Sequence, residues 1–244
     1  MPTIAPQSSP RPKLPNGVRV YAMSDIHGCA HLLEQMFAVI DADMANSRPY
    51  RAIEVFLGDY IDRGPDSRRT LDLLIQRSRH RNTVFLKGNH EAYFTSVLDD
   101  PSRLGEWLKV GGLQTMVSYG LSAAPDLGKE EQSDLVRVLR SSMPPQHIEF
   151  LRQLRPTFTC GDFFFVHAGV RPGIALSEQR EQDLLWIRDE FLQSKKRFGK
   201  YVVHGHTPVR QAELLENRAN IDTGAYATGN LTLLSIQGNS MLAI

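Results

Sequence analysis

Ala52-Ile53-Glu54-Val55-Phe56-Leu57 runs straight into Gly58-Asp59-Tyr60-Ile61-Asp62-Arg63-Gly64, and that junction decides the fold. The first segment, apolar apart from Glu54, reads as a strand. The second is polar, bounded by glycines, and carries two carboxylates and a guanidinium at the point where the strand ends. The same unit occurs on either side. Val18–Met23 leads into Ser24-Asp25-Ile26-His27-Gly28, and Thr83–Lys87 leads into Gly88-Asn89-His90-Glu91. Helical periodicity fills the gaps, with Leu32, Leu33, Met36, Phe37 and Ile40 on 31–42, and Leu71, Leu73, Leu74 and Ile75 on 66–77. A β-α-β-α-β rhythm predicts parallel strands whose loops gather at the carboxyl ends, where sites in α/β sheets lie. Two later clusters, His167-Ala168-Gly169 and His204-Gly205-His206-Thr207-Pro208, also follow β-prone runs. A packed core has no use for so many ionisable groups at strand ends, because burying each unpaired costs roughly several kcal/mol.

The 244 residues fit one large α/β domain, expected over 16–244. Hydrophobic residues at 41% supply a core, and a net charge of +1 gives no global field toward nucleic acid or membranes. Prolines at 2, 6, 10, 12 and 15 predict a flexible tail over 1–15 and no signal peptide. No run approaches a membrane span, and the cytoplasm is the expected compartment. Cys29 and Cys160 match no C-x-x-C pattern and read as free thiols.

Helical patterns dominate about 92–155: 92–98, 102–109, 113–119, 130–139 and 145–154, punctuated by Gly111-Gly112, Gly120, Pro125 and Pro144-Pro145. They predict a helical insertion beside the site. Residues 157–159 and 163–166 read as paired strands turning at Gly161-Asp162, and 181–193 as one helix carrying Trp186 and Arg188. Short strands at 200–203, 212–215, 219–221, 231–235 and 241–244 read as an antiparallel run. His80 and His147 read as surface residues, and Trp107 and Trp186 as packing.

Asp25 and His27, two apart, face one side of the chain as it leaves the sheet. Asp59, from the middle strand, is the natural bridge between two cations. One would then be held by Asp25, His27 and Asp59, the other by Asp59, Asn89, His167 and His206. Oxygen and nitrogen ligation without thiolate suits Mn²⁺, Fe or Zn²⁺ better than Mg²⁺. Two cations about 3.5–4 Å apart lower the pKa of a shared water and neutralise phosphoryl oxygens. The metal-bound hydroxide so formed would attack phosphorus. His90 is the candidate acid for the leaving group, with Asp62 to hold its ring. Arg63 carries a planar fork for phosphate, with Arg188 a second candidate and Asn89 counted among the phosphate-binding residues as well as the ligands. Taken singly these residues mean little. Arg188 beside Asp189 and Glu190 reads, by position alone, more often as a solvated ion-pair residue, and His204, Asp222, Glu91 and Gly64 as structural.

Taken together, the clusters resemble the phosphoprotein phosphatase branch of the calcineurin-like metallophosphoesterases, in particular the bacterial and phage-type serine/threonine protein phosphatases. Their signature is G-D-x-H-G, G-D-x-x-D-R-G and G-N-H-E, then a histidine strand and a G-H-T turn. Ser24 replaces the first glycine, a change expected to leave the ligands untouched. Leu185-Trp186-Ile187-Arg188 is similar to the segment bearing the second arginine, and Asn220-Ile221-Asp222-Thr223-Gly224-Ala225 resembles the closing turn. The resemblance implies a sandwich of two mixed β-sheets flanked by helices, with two metals at one edge, and gives the residues above the same roles. It implies phosphorylated proteins or peptides as substrates, with small phosphate esters also cleaved. The branch also contains symmetrical bis(5'-nucleosyl)-tetraphosphatases, which cleave diadenosine tetraphosphate. Those typically lack the second-motif aspartate and often read G-N-H-D, so Asp62 and Glu91 favour the phosphomonoester group. A non-catalytic metal-binding module that docks phosphorylated partners is the remaining alternative, opposed by intact His90, Asp62 and both arginines.

Overall fold

The computed structural model describes residues 11–47, 49–122 and 128–244. Two five-stranded mixed sheets pack face to face with helices outside both, as the resemblance implies. The first runs β10-β9-β1-β2-β3 and the second β4-β5-β6-β8-β7. In the first, β1 (Val18–Met23), β2 (Arg51–Phe56) and β3 (Thr83–Phe85) are parallel. In the second, β5 (Phe163–Val166), β6 (Tyr201–His204) and β8 (Arg218–Asn220) are parallel.

Alternation along the strands builds three cores. Val20 and Ala22 of β1 and Ile53 and Val55 of β2 point between the sheets, where they meet Phe163, Phe165 and Val203. Tyr21, Met23 and Phe56 point the other way, against α1 (Ala30–Ser47), α2 (Ser67–Ser78) and the insertion. Phe164 and Val166 face outward onto α8 (Glu181–Trp186) and α9 (Asp189–Leu192). All four residues of β5 are therefore buried, the mark of a strand covered on both faces.

Glu54 breaks this apolar pattern, and its partner explains it. Its side chain is buried, and the Arg77 guanidinium of α2 donates to both of its oxygens at 2.7 and 2.8 Å. Arg77 also grips Asp41 and lies over the Phe37 ring, 4.5 Å from its centroid. Replacing Arg77 with leucine strands a buried carboxylate. The expected loss is about 3–5 kcal/mol of folding stability, to be read from urea unfolding. Arg77→Leu combined with Glu54→Leu is expected to recover most of it.

The antiparallel run predicted after residue 200 is corrected by the topology. β6 is parallel to both neighbours and only β7 (Glu213–Leu214) is antiparallel to β8. β9 (Leu233–Gln237) returns to the first sheet antiparallel to β1, and β10 (Ser240–Ala243) pairs antiparallel with β9 at its edge. β4 (Thr157–Cys160) pairs with β5 as a hairpin, as predicted.

The insertion is helical: α3 (Asn89–Asp99), α4 (Leu104–Trp107), α5 (Leu113–Ser118), α6 (Lys129–Ser142) and α7 (Pro145–Arg152). A widened turn over Leu108–Gly112 joins α4 to α5 and breaks at Gly111, whose φ is 116°. Pro125 lies outside the described residues, as do residues 1–10 of the proline-rich segment. Leu14 within that segment is buried between the sheets, and its N–H donates to Gly238 O at 2.8 Å. His80 is exposed as expected. His147 is not a surface residue. It is fully buried, bonded through Nδ1 to the Tyr119 hydroxyl at 2.7 Å and through Nε2 to Asp72 at 3.0 Å. Cys29 and Cys160 are both free thiols. Among the described residues no helix is long and apolar enough to cross a membrane.

Candidate metal centre

All five clusters lie just beyond the carboxyl ends of β1, β2, β3, β5 and β6. Because both sheets have parallel centres, these ends share one edge of the sandwich. Backbone hydrogen bonds tie the loops together: His27 N to Asp59 O, Gly28 N to Tyr60 O and Gly205 N to His167 O, each 2.8 Å. The Glu91 carboxylate, fully buried, accepts from Asp59 N, Tyr60 N and Gly88 N at 2.7–2.9 Å. It therefore staples the second and third clusters, more than the helix-start acid its position suggests.

Two glycines are required by close approach. A Cβ on Gly88 would stand 2.1 Å from Asp59 Oδ1, and one on Gly205 would stand 1.8 Å from Ser24 Oγ. Among the described residues the non-glycine positions with positive φ are His27 (45°), Asp59 (53°), Asp62 (71°), Arg63 (66°) and His206 (67°). Every one lies in these clusters. Such residues cost about 1–3 kcal/mol each and persist where function needs the geometry.

The donor atoms converge. His27 Nδ1 donates to Ile61 O at 2.9 Å, so Nε2 is left as a lone pair 3.5 Å from Asp59 Oδ2. His167 Nδ1 donates to Leu57 O at 2.9 Å, and its Nε2 lies 3.5 Å from Asp59 Oδ1 and 2.8 Å from Asn89 Oδ1. Carbonyl-anchored Nδ1 is the arrangement that fixes a ligating imidazole. His206 Nδ1 is 3.2 Å from His167 Nε2, and its Nε2 is buried without a partner among the described residues. Burial depresses all three imidazoles, His27 to about 3 and His206 to about 2, which keeps them neutral and able to ligate. Burial and the neighbouring carboxylates of Asp25 and Glu91 push Asp59 up.

Two donor groups of the right reach result: His27, Asp59 and His90, and Asp59, His167 and His206. They share Asp59, each of whose oxygens faces a different set. Neutral imidazoles, carboxylates and an unpartnered buried nitrogen are a donor set that fits two divalent cations. Asp25 reaches the cluster from the His206 side, accepting from His206 N at 3.1 and 3.2 Å. The Ser24 hydroxyl donates to Asp25 Oδ2. The serine therefore adds a hydrogen bond to a candidate ligand, while Asp25 and His27 stand where the motif has them.

His90 Nδ1 pairs with Asp62 Oδ2 at 2.8 Å, both side chains buried, and Nε2 turns toward Asp59 at 3.9 Å. The Asp62 carboxylate also accepts from Trp107 Nε1 at 2.8 Å and Thr115 Oγ1 at 2.6 Å. Neither partner was read as part of the site. The available signal was the indole N–H itself, which needs an acceptor once its ring is buried.

Arg63 and Arg188 have no ion-pair partner among the described residues. Arg63 is half-buried over the Tyr226 ring, 5.1 Å from its centroid. Arg188 interacts electrostatically with His167, His206 and Asp222. The single helix predicted over 181–193 is divided by this residue. Ile187 turns into the outer core, and Arg188 (φ −130°, ψ −105°) leaves the helical region between α8 and α9. Trp186 is not core packing. It is half-buried, its ring 6.2 Å from the His206 ring, edge to face.

A double sheet with shared His and Asp donor groups at one edge is the architecture of metal-dependent phosphoesterases. Residues 18–233 match the calcineurin-like phosphoesterase family model, and the chain belongs to that family. Serine/threonine-protein phosphatase 1 of Salmonella typhimurium is 30% identical over 229 residues, covering 91% of this chain and 94% of that one. The asymmetrical bis(5'-nucleosyl)-tetraphosphatase PrpE of Anoxybacillus flavithermus is 26% identical, covering 87% and 88%. Among solved structures, the cold-active protein-tyrosine phosphatase of a psychrophilic Shewanella shares the fold. It has a TM-score of 0.57 and 14% identity, with 95% of this chain and 80% of that one covered.

Proposed function

We propose that this metal-dependent phosphatase hydrolyses phosphoserine and phosphothreonine in proteins or peptides. The observation that carries the reading is the His90–Asp62 pair, 2.8 Å apart and buried against the Asp59 donor groups. Asp25, His27 and Asp59 would hold one cation, and Asp59, Asn89, His167 and His206 the other, with Mn²⁺ the proposed occupant and Fe or Zn²⁺ also compatible with the mixed donors. When bound, the cations supply Lewis acidity toward phosphoryl oxygens and an activated water. The chain's own residues do the rest. Arg63 and Arg188 grip the phosphate through guanidinium groups that have no ion-pair partner among the described residues. His90, oriented by Asp62 through Nδ1, presents Nε2 to protonate the departing oxygen. The identity to a protein named serine/threonine-protein phosphatase 1 supports the substrate class.

Hydrolysis of dinucleoside tetraphosphates is the second reading, favoured by the several relatives named asymmetrical bis(5'-nucleosyl)-tetraphosphatase, where the resemblance points to the symmetrical kind. A non-catalytic phospho-docking module is disfavoured by the intact acid pair. Protein reconstituted with Mn²⁺, its metal stoichiometry measured, should be offered a phosphoserine peptide, diadenosine tetraphosphate and p-nitrophenyl phosphate. Preference for the peptide supports the first reading and preference for the dinucleotide replaces it. Turnover of none leaves the module.

Arg63→Ala is expected to lower kcat/KM by about 10²-fold or more, the scale for removing one donor that stabilises developing charge. Metal stoichiometry should be unaltered. An unchanged kcat/KM would take Arg63 out of the substrate site.

A further inference from the structure

The Asp62 carboxylate is held by more than its histidine, and the extra holders come from the insertion. Trp107 closes α4 and donates from Nε1 to Asp62 Oδ2, the same oxygen that receives His90 Nδ1. Thr115, on α5, donates from Oγ1 to Asp62 Oδ1, and its oxygen accepts from Asp62 N at 2.9 Å. Asp62, Trp107 and Thr115 are all fully buried. The break at Gly111 between the two helices closes on the next residue in the chain. Arg63 N donates to Gly111 O at 3.1 Å, and a Cβ on Gly111 would stand 2.7 Å from Arg63 Cγ. Gly112 lies under the Trp107 ring, where a Cβ would come within 2.3 Å of it. The turn is thus moulded to the indole on one side and to Arg63 on the other.

We propose that α4 and α5 belong to the catalytic apparatus, Trp107 and Thr115 being positioning residues that lock Asp62 onto His90, while Gly111 sets Arg63. This rests on the phosphatase reading above. A carboxylate with three side-chain donors on its two oxygens cannot rotate away from His90. Without the indole N–H, one lone pair on Oδ2 is unfilled and the carboxylate is free to turn. The proton that His90 delivers to the departing oxygen is then badly aimed. A Trp that only filled space would behave differently, since phenylalanine would replace it without altering the chemistry.

Leaving-group basicity separates these roles. Phenyl phosphate releases a basic phenol oxygen and depends on proton donation. p-Nitrophenyl phosphate releases a stable anion and depends on it far less. Trp107→Phe and Thr115→Val are each expected to lower kcat on phenyl phosphate by about tenfold or more, with a several-fold smaller loss on the nitrophenyl ester and KM little altered. Thr115→Ser, which restores the hydroxyl, should recover the ratio. Gly111→Ala presses on Arg63 instead, and is expected to raise KM for both esters while leaving their kcat ratio near wild type. Metal stoichiometry and melting temperature are measured on every variant. Equal losses on the two esters, or no loss, in the folded Trp107 and Thr115 variants would overturn the role of the pair. A shifted kcat ratio in Gly111→Ala would overturn its assignment to Arg63. Wild-type protein that cleaves both aryl esters but no phosphopeptide would remove the protein-substrate reading and leave this inference standing. Wild-type protein that cleaves neither ester would remove both.

Discussion

Replacing Asp59 with asparagine is expected to strip both cations and to reduce turnover below about one-thousandth, since two-metal charge stabilisation is worth several kcal/mol. The geometry explains why one atom pair matters so much. Asp59 Oδ2 faces His27 and Oδ1 faces His167, each at 3.5 Å, so a single carboxylate belongs to both donor groups. An amide of the same shape keeps the packing and can still accept from His90 N, now 3.1 Å from Oδ1. It loses the negative charge and presents one oxygen in place of two. Metal content by elemental analysis, alongside turnover of p-nitrophenyl phosphate, checks this. Two metals bound with near-normal turnover would mean that Asp59 does not bridge.

His90→Asn should lower kcat by about 10²–10⁴-fold, the usual range for losing a general acid, while both metals stay. The imidazole is buried and tied through Nδ1 to Asp62, so its orientation is set before substrate arrives. The competing role is also written in the distances, because His90 Nε2 lies 3.9 Å from Asp59 Oδ2, within reach of a shared cation. Stoichiometry decides between them. A variant that binds one metal fewer makes His90 a ligand and leaves the departing oxygen without its donor.

The parts of this site that sequence makes readable are those whose signal is local. Asp25 with His27, Asp59 with Asp62 and Arg63, and Asn89 with His90 each follow a strand within a few residues, so pattern and chemistry coincide. What stayed hidden depends on contacts between distant positions. Trp107 meets Asp62 across 45 residues and Thr115 across 53. His147 finds Asp72 across 75, so nothing near His147 announced that it would be buried. Residues 181–193 keep helical periodicity throughout. Their break comes from Ile187 turning into the outer core and from the site beyond it, neither of which propensity records. Strand direction failed similarly. The runs after residue 200 have the spacing of hairpins, yet β6 lies parallel between β5 and β8, because on either side of β6 the chain crosses over and re-enters the sheet at the end opposite to the one it left.

The five left-handed side-chain-bearing residues make heat resistance and catalysis rival goals for this chain. Glycine at these positions would relieve the local backbone strain, a gain in durability wherever the lost side chain leaves no buried donor unpaired. Each would also delete an imidazole, a carboxylate or a guanidinium that the proposed chemistry uses. Selection for endurance alone would therefore drift toward a sturdier and silent protein, and hardening it without loss requires changes elsewhere in the molecule.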